Sequence, residues 1–200
     1  MTQILDRVRA HLRSHFADDQ PASASVTFLG TETIEVLRFR GTDDVAHYAS
    51  LGCSRHPMVD PTEIVADPER GPRAEVVLSL RNPGPVSGLA RTLAVLAATP
   101  AVDGLVLVAD ALIDLGSPLW AWPPESARRV PFTAVLLGPS DIEDLPLDPP
   151  RDPVRFLSAT PITATEAAWV RLKGAEAMRQ AWVNDGVDVL NPNRPAAQPR

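Results

Sequence analysis

Ala74-Glu75-Val76-Val77-Leu78-Ser79-Leu80 is the stretch that decides the fold of this chain. Ala74, Val76, Leu78 and Leu80 alternate with Glu75, Val77 and Ser79, so one face of an extended strand is wholly apolar. Pro83, Gly84 and Pro85 break the pattern. Ser87 then reads as the N-cap of a helix carrying Leu89, Leu93 and Leu96, which Pro100 stops. Apolar runs at 104–108, 132–137 and 154–157 read as further strands downstream. Upstream, 26–29 and 33–39 read as two short strands turning at Gly30, and 45–51 as a third.

Helices close both ends of this strand set. Ile4, Leu5, Val8, Leu12 and Phe16 recur at helical spacing, and Pro21 follows. Thr163-Ala-Thr-Glu166 has the spacing of a capping box, in which hydroxyl and carboxylate satisfy each other's backbone N–H. Trp169, Leu172, Ala175, Met178 and Trp182 then form one stripe, with Gly174 kinking or dividing the helix and Gly186 ending it. Helices do not alternate strictly with strands. The order therefore predicts an α+β fold, with helices around a mixed, mainly antiparallel sheet in one domain over 1–190. A mobile proline-rich tail is expected at 191–200.

The chain has 200 residues, 44% hydrophobic and 22% charged, enough for a true core without staples. A single cysteine excludes a disulfide framework and a four-cysteine zinc site, and suits a reducing cytoplasmic setting. No apolar run is long enough for a membrane span, and Asp6, Arg7 and Arg9 spoil the pattern of a signal peptide. A net charge of −6 disfavours nucleic acid and favours a basic protein partner.

Reactive constellations are sparse. Cys53 lies between His47 and His56, so a small cysteine-dependent hydrolase or transferase is the enzymatic alternative to a structural turn cysteine. His11 and His15 share a helix face but lack a third ligand, which favours two solvated histidines over a metal site. Asp110 and Asp114 are a carboxylate pair of the kind chance supplies. No phosphate loop, dinucleotide fingerprint or GxSxG is present. Neither a catalytic residue nor a cofactor is assigned. Two features could contact a partner. Trp120 and Trp122 lie in a proline-rich loop and either cover the core or bind. Asp141, Glu143 and Asp144 begin an acidic, proline-stiffened loop running to residue 152, which reads either as solvated or as a docking surface.

His47-Tyr-Ala-Ser-Leu-Gly-Cys-Ser54 resembles the "HY-x-(T/S)-hydrophobic-G-x-S" strand and turn of the Suppressor of fused family. Residues 74–80 resemble its next strand, with Glu75 at the family glutamate, although Arg55 stands where an aspartate is common. Residues 132–139, 154–157 and 160–166 resemble its later strands and helix start. The resemblance implies a noncatalytic protein-binding module, possessing in bacteria the character of an immunity protein that neutralises a toxin domain. It also places Tyr48 near a partner groove. The arginine-dominated, proline-rich composition fits a bacterial source.

Overall fold

The alternation at 74–80 becomes the central strand of a seven-stranded sheet. The computed structural model describes residues 2–28, 32–59, 67–121 and 131–197. In chain order the elements are α1 (Thr2–Phe16), β1 (Ala22–Val26), β2 (Ile34–Arg40), β3 (Val45–Leu51), a 3-10 turn (Cys53–Arg55) and β4 (Arg73–Arg81). There follow α2 (Leu89–Asp103), β5 (Leu112–Asp114), β6 (Phe132–Pro139), β7 (Val154–Thr163), α3 (Ala164–Lys173) and α4 (Ala175–Asn184). The strand order is β1-β2-β3-β4-β7-β6-β5. Among the described residues β4–β7 is the one parallel pairing, and the other neighbours are antiparallel. This is the α+β, mainly antiparallel architecture expected from the order of elements.

Both faces of the sheet are covered. On one, α2 packs Leu93, Leu96 and Ala97 against Ile34, Val36, Val76, Leu78 and Leu80. On the other, Val8 and Leu12 of α1 meet Leu37, Phe39, Ala49, Val77 and Phe156. Ile162 lies an even number of residues from Phe156 on β7, hence on that same face. There it packs with Ala134, Leu136, Val170, Met178 and Trp182 under α3 and α4. A central strand between two helical layers has no solvated side, so Glu75 is fully buried although it alternates with apolar residues.

Several expectations are corrected. The first strand lies at Ala22–Val26, not at 26–29, because pairing with β2 overrides the poor strand propensity of Ala-Ser-Ala-Ser. The turn assigned to Gly30 lies outside the described residues. Gly88, not Ser87, is the N-cap of α2, and the Ser87 carbonyl instead accepts from the Ala121 N–H at 2.8 Å. Pro100 does not stop α2, which runs on to Asp103. The hydroxyl of Thr99 donates to the Leu96 carbonyl at 2.8 Å, taking the acceptor that a non-proline residue 100 would have used. The apolar run at 104–108 is not a strand. Leu107 is buried in the core with Val106 half-buried against it, while Leu105 and Val108 are exposed, and the strand comes later as β5.

The C-terminal helix is divided at Gly174, whose φ of 90° and ψ of 167° serve both as the end of α3 and the start of α4. The division shifts the helical phase, so Leu172, expected on the buried stripe, is 72% exposed. The proline-rich end does not stand off the body over its described part. Arg194 and Ala197 are buried, tied to Glu166 at the start of α3. No helix among the described residues is long and apolar enough to cross a membrane.

Candidate functional site

The turn after β3 is held by one carboxylate. Glu75 on β4 accepts from the Ser50 hydroxyl (2.5 Å), the Gly52 N–H (2.8 Å), the Ser54 N–H (3.0 Å) and the Ser54 hydroxyl (2.6 Å). Gly52 has φ of 143°, and a Cβ there would sit 3.2 Å from the Thr33 carbonyl oxygen, so only glycine suits the bend. The Arg73 guanidinium donates to the Ser54 and Arg55 carbonyls, both at 2.9 Å, closing the turn from its other side. The spacing Ser-x-Gly-x-Ser is thus a ring of donors for a buried acid, and its role is positional.

Cys53 sits in this ring. Burial of its thiol and the nearby Glu75 carboxylate push its pKa well above the ordinary thiol value. That is the reverse of what a nucleophilic thiolate needs. Neither histidine serves it. His56 meets Glu32 at 2.8 Å, a contact that, with Arg55, holds the Glu32 carboxyl below its usual range. His47 points to the other face of β3, where Phe16 stacks on it at 4.6 Å and Ser79 lies 2.8 Å from Nδ1. Burial holds the His47 pKa below its ordinary value. A cleft of about 400 Å³ opens beside Cys53, with Ile34, Met58, Val59 and Ala98 in its walls and Glu32 and His56 among its polar groups.

The residues singled out from the sequence do not form one surface. Tyr48 is 7% exposed and packs in the core beneath α2, so it offers almost no contact area. Trp120 is 3% exposed and lies 5.4 Å from the Phe132 ring, which resolves its role as covering the core. Both corrections have one cause: large aromatics on the α2 side are used to fill the layer between helix and sheet. Trp122 lies outside the described residues.

The acidic loop is different. Asp141, Glu143 and Asp144 are exposed, while Ile142 between them is buried against α1. Nε2 of His11 is 2.8 Å from the Glu143 carbonyl oxygen, and His11 stacks on Phe156 at 5.2 Å. His15 reaches Asp141 at 4.0 Å, and Arg155 reaches Asp144 at 4.0 Å. His11 thus touches this loop, while His15 stays exposed and approaches it only at that distance. Among the described residues no three His, Cys, Asp or Glu side chains are placed to hold a metal ion. Asp110 and Asp114 are each tied to a separate arginine, Arg179 at 2.6 Å and Arg171 at 2.7 Å, and do not act as a pair.

Sequence reasoning missed the densest polar centre. Glu166 accepts from Thr163 to complete the expected capping box, and also from Trp182 Nε1 (3.0 Å), Arg194 Nη1 (2.6 Å) and the Ala197 N–H (3.1 Å). Burial opposes its charge, but the Arg194 guanidinium together with the Thr163 and Trp182 donors outweighs this and holds the Glu166 carboxyl below its usual range. The capping box was legible. Nothing in a lone arginine among prolines announced its partner.

Comparison with known proteins agrees with this architecture. A profile of the Suppressor of fused protein (SUFU) family matches residues 30–195. A crystal structure of a Suppressor of fused homolog from Neisseria gonorrhoeae superposes with a TM-score of 0.67 at 18% identity, over 99% of this chain and 98% of that one. The crystal structure of the Sufu–Fu complex gives 0.67 at 16% identity, over 96% and 91%. Drosophila Suppressor of Fused gives 0.66 at 16% identity, over 96% of this chain but 51% of that one. No curated protein sequence matches at a significant level. With the profile covering most of its length and the same fold in each of these structures, this chain belongs to the Suppressor of fused family.

Proposed function

We propose that this protein is a noncatalytic module that binds another protein, and that it acts in a bacterial cytoplasm as an immunity-type inhibitor of a basic toxin domain. The observation that carries the reading is the family match over 30–195, together with the shared fold of a family member solved in complex with Fu. Two features of the chain support it. The Cys53 thiol is held protonated, which removes the best nucleophile from service. The acidic residues Asp141, Glu143 and Asp144 project from a loop that Ile142 and His11 fix in place. A fixed negative rim speeds the arrival of a basic partner more than it tightens the complex.

The test is affinity purification from the native host at low salt, followed by reconstitution of the complex from purified components. A stoichiometric basic partner is expected, with an association rate that falls as salt rises. The variant carrying Asp141→Lys, Glu143→Lys and Asp144→Lys should associate more slowly, with its fold unchanged. Turnover of a small molecule by the protein alone, or an unaltered association rate in that variant, would contradict the reading.

A further inference from the structure

The second charged surface has the opposite sign. β1 is an edge of the sheet, and its residues 22–25 are exposed. Behind it on β2, Arg38 and Arg40 are both exposed and lie two residues apart, on the same face. Ala22 stands opposite Arg38 across the pair, and its methyl group is too short to cover a guanidinium. Two adjoining clefts, of about 450 and 560 Å³, are each lined by both arginines. The Arg38 guanidinium carbon rests 5.8 Å from the centre of the Tyr48 ring, which limits its motion. Many arginines of this acidic protein are ion-paired within the chain, among them Arg9, Arg55, Arg171, Arg179 and Arg194. Arg38 and Arg40 make no ion pair among the described residues.

We infer that Arg38 and Arg40 form a docking site for an extended polypeptide segment that carries two carboxylates two residues apart. Alternate residues of any extended chain repeat at about 7 Å, so the spacing of the arginines on β2 equals that of the carboxylates on the segment. Each guanidinium can meet its carboxylate in a two-pronged hydrogen-bonded pair. The outer edge of β1 offers backbone N–H and C=O groups to the segment's main chain. Asp18 lines one cleft and Asp44 the other, so residues of the segment beside the two carboxylates are neutral or basic. This surface lies on the α2 face, whereas Ile142 anchors the acidic loop on the α1 face, and it stands whatever binds that loop.

The probe is a fluorescein-labelled peptide of sequence Lys-Thr-Glu-Val-Glu-Thr-Lys, followed by anisotropy at low ionic strength. It is compared with a version bearing glutamines in place of both glutamates, and with Lys-Thr-Glu-Val-Thr-Glu-Lys, which puts the acids on opposite faces. The first peptide is expected to bind about tenfold more tightly than either control. Arg38→Gln with Arg40→Gln should erase that preference without changing the melting temperature. The single variant Arg40→Gln, which leaves the Arg38–Tyr48 contact in place, gives the same readout if the double variant does not fold. No binding up to millimolar peptide, equal binding of the three peptides, or a preference that survives substitution would overturn the site. So would tripolyphosphate binding as tightly as the peptide with the same loss in the variants, which would mark a patch for any polyanion.

Discussion

Glu166 and Arg194 form a buried ion pair at 2.6 Å, with side chains 0% and 3% exposed. The carboxylate starts α3 and the guanidinium belongs to the proline-rich end, so this pair, with the Ala197 N–H that also donates to Glu166, ties the last described residues to the body. The Arg194 guanidinium also lies over the Phe132 ring at 5.0 Å and donates to the Pro161 carbonyl at 2.9 Å.

Removing one partner strands the other. Arg194→Met should cost about 3–5 kcal/mol, since an uncompensated carboxylate then remains buried. Adding Glu166→Gln to Arg194→Met should cost less than the sum of the two single changes. Urea unfolding of the four proteins checks both statements, and simple additivity would show that the pair is not coupled.

The same pair sets an acid response. The folded-state pKa of Glu166 lies below its unfolded value of about 4.3. Its stabilisation is therefore complete above that unfolded value and is lost as pH falls through the lower, folded one. In Arg194→Met, burial opposes the Glu166 charge with only the Thr163, Trp182 and Ala197 donors left against it, so its pKa should rise and the stability gained above pH of about 4.3 should shrink or reverse. Melting temperature against pH for both proteins distinguishes the two slopes.

Glu75→Ala should free the turn that carries Cys53. Four donor groups lose their acceptor, each worth about 1–3 kcal/mol when left unsatisfied in the interior. In the native protein Cys53 should react slowly with a disulfide reagent at neutral pH, because its thiol stays protonated. The substitution should speed that reaction, well below the unfolding midpoint. Labelling kinetics at fixed pH give the answer.

Gly174→Ala runs against helix propensity. Alanine favours helices, yet the φ of 90° and ψ of 167° at this position lie where residues with a Cβ are strained by about 1–3 kcal/mol. Nothing lies within 4 Å of the added carbon, so the cost is backbone strain alone. A lower melting temperature with unchanged helical circular dichroism is expected, and a stabilised protein would mean that α3 and α4 fuse.

Periodic patterns carried much of the fold. The alternation at 74–80, the helical spacing from Ile4 to Phe16 and the capping box at Thr163 are local signals, and each reads correctly because one face of an element must be apolar or one backbone group must be satisfied. Ala-Ser-Ala-Ser at β1 has no such signal and becomes a strand only through its neighbour. Pro100 misled in the opposite way, since a proline ends a helix unless another donor replaces its N–H, as Thr99 does. The candidate site was less legible. Asp141, Glu143 and Asp144 are exposed as their charges suggest, but Tyr48 and Trp120 went into the core, because exposure of an aromatic depends on what packs above it.

By itself the amino-acid sequence determined the central strands, the terminal helices, the mixed sheet and the family motif from His47 to Ser54. Periodicity and short-range hydrogen bonding act within a few residues and are written in order along the chain. Only the tertiary structure decided that Glu75 binds the turn, that Glu166 finds Arg194, and that Arg38 and Arg40, without an ion pair among the described residues, stand beside an edge strand. Those relationships join groups remote in sequence, and charge or polarity names a need for a partner without saying where in the fold that partner lies.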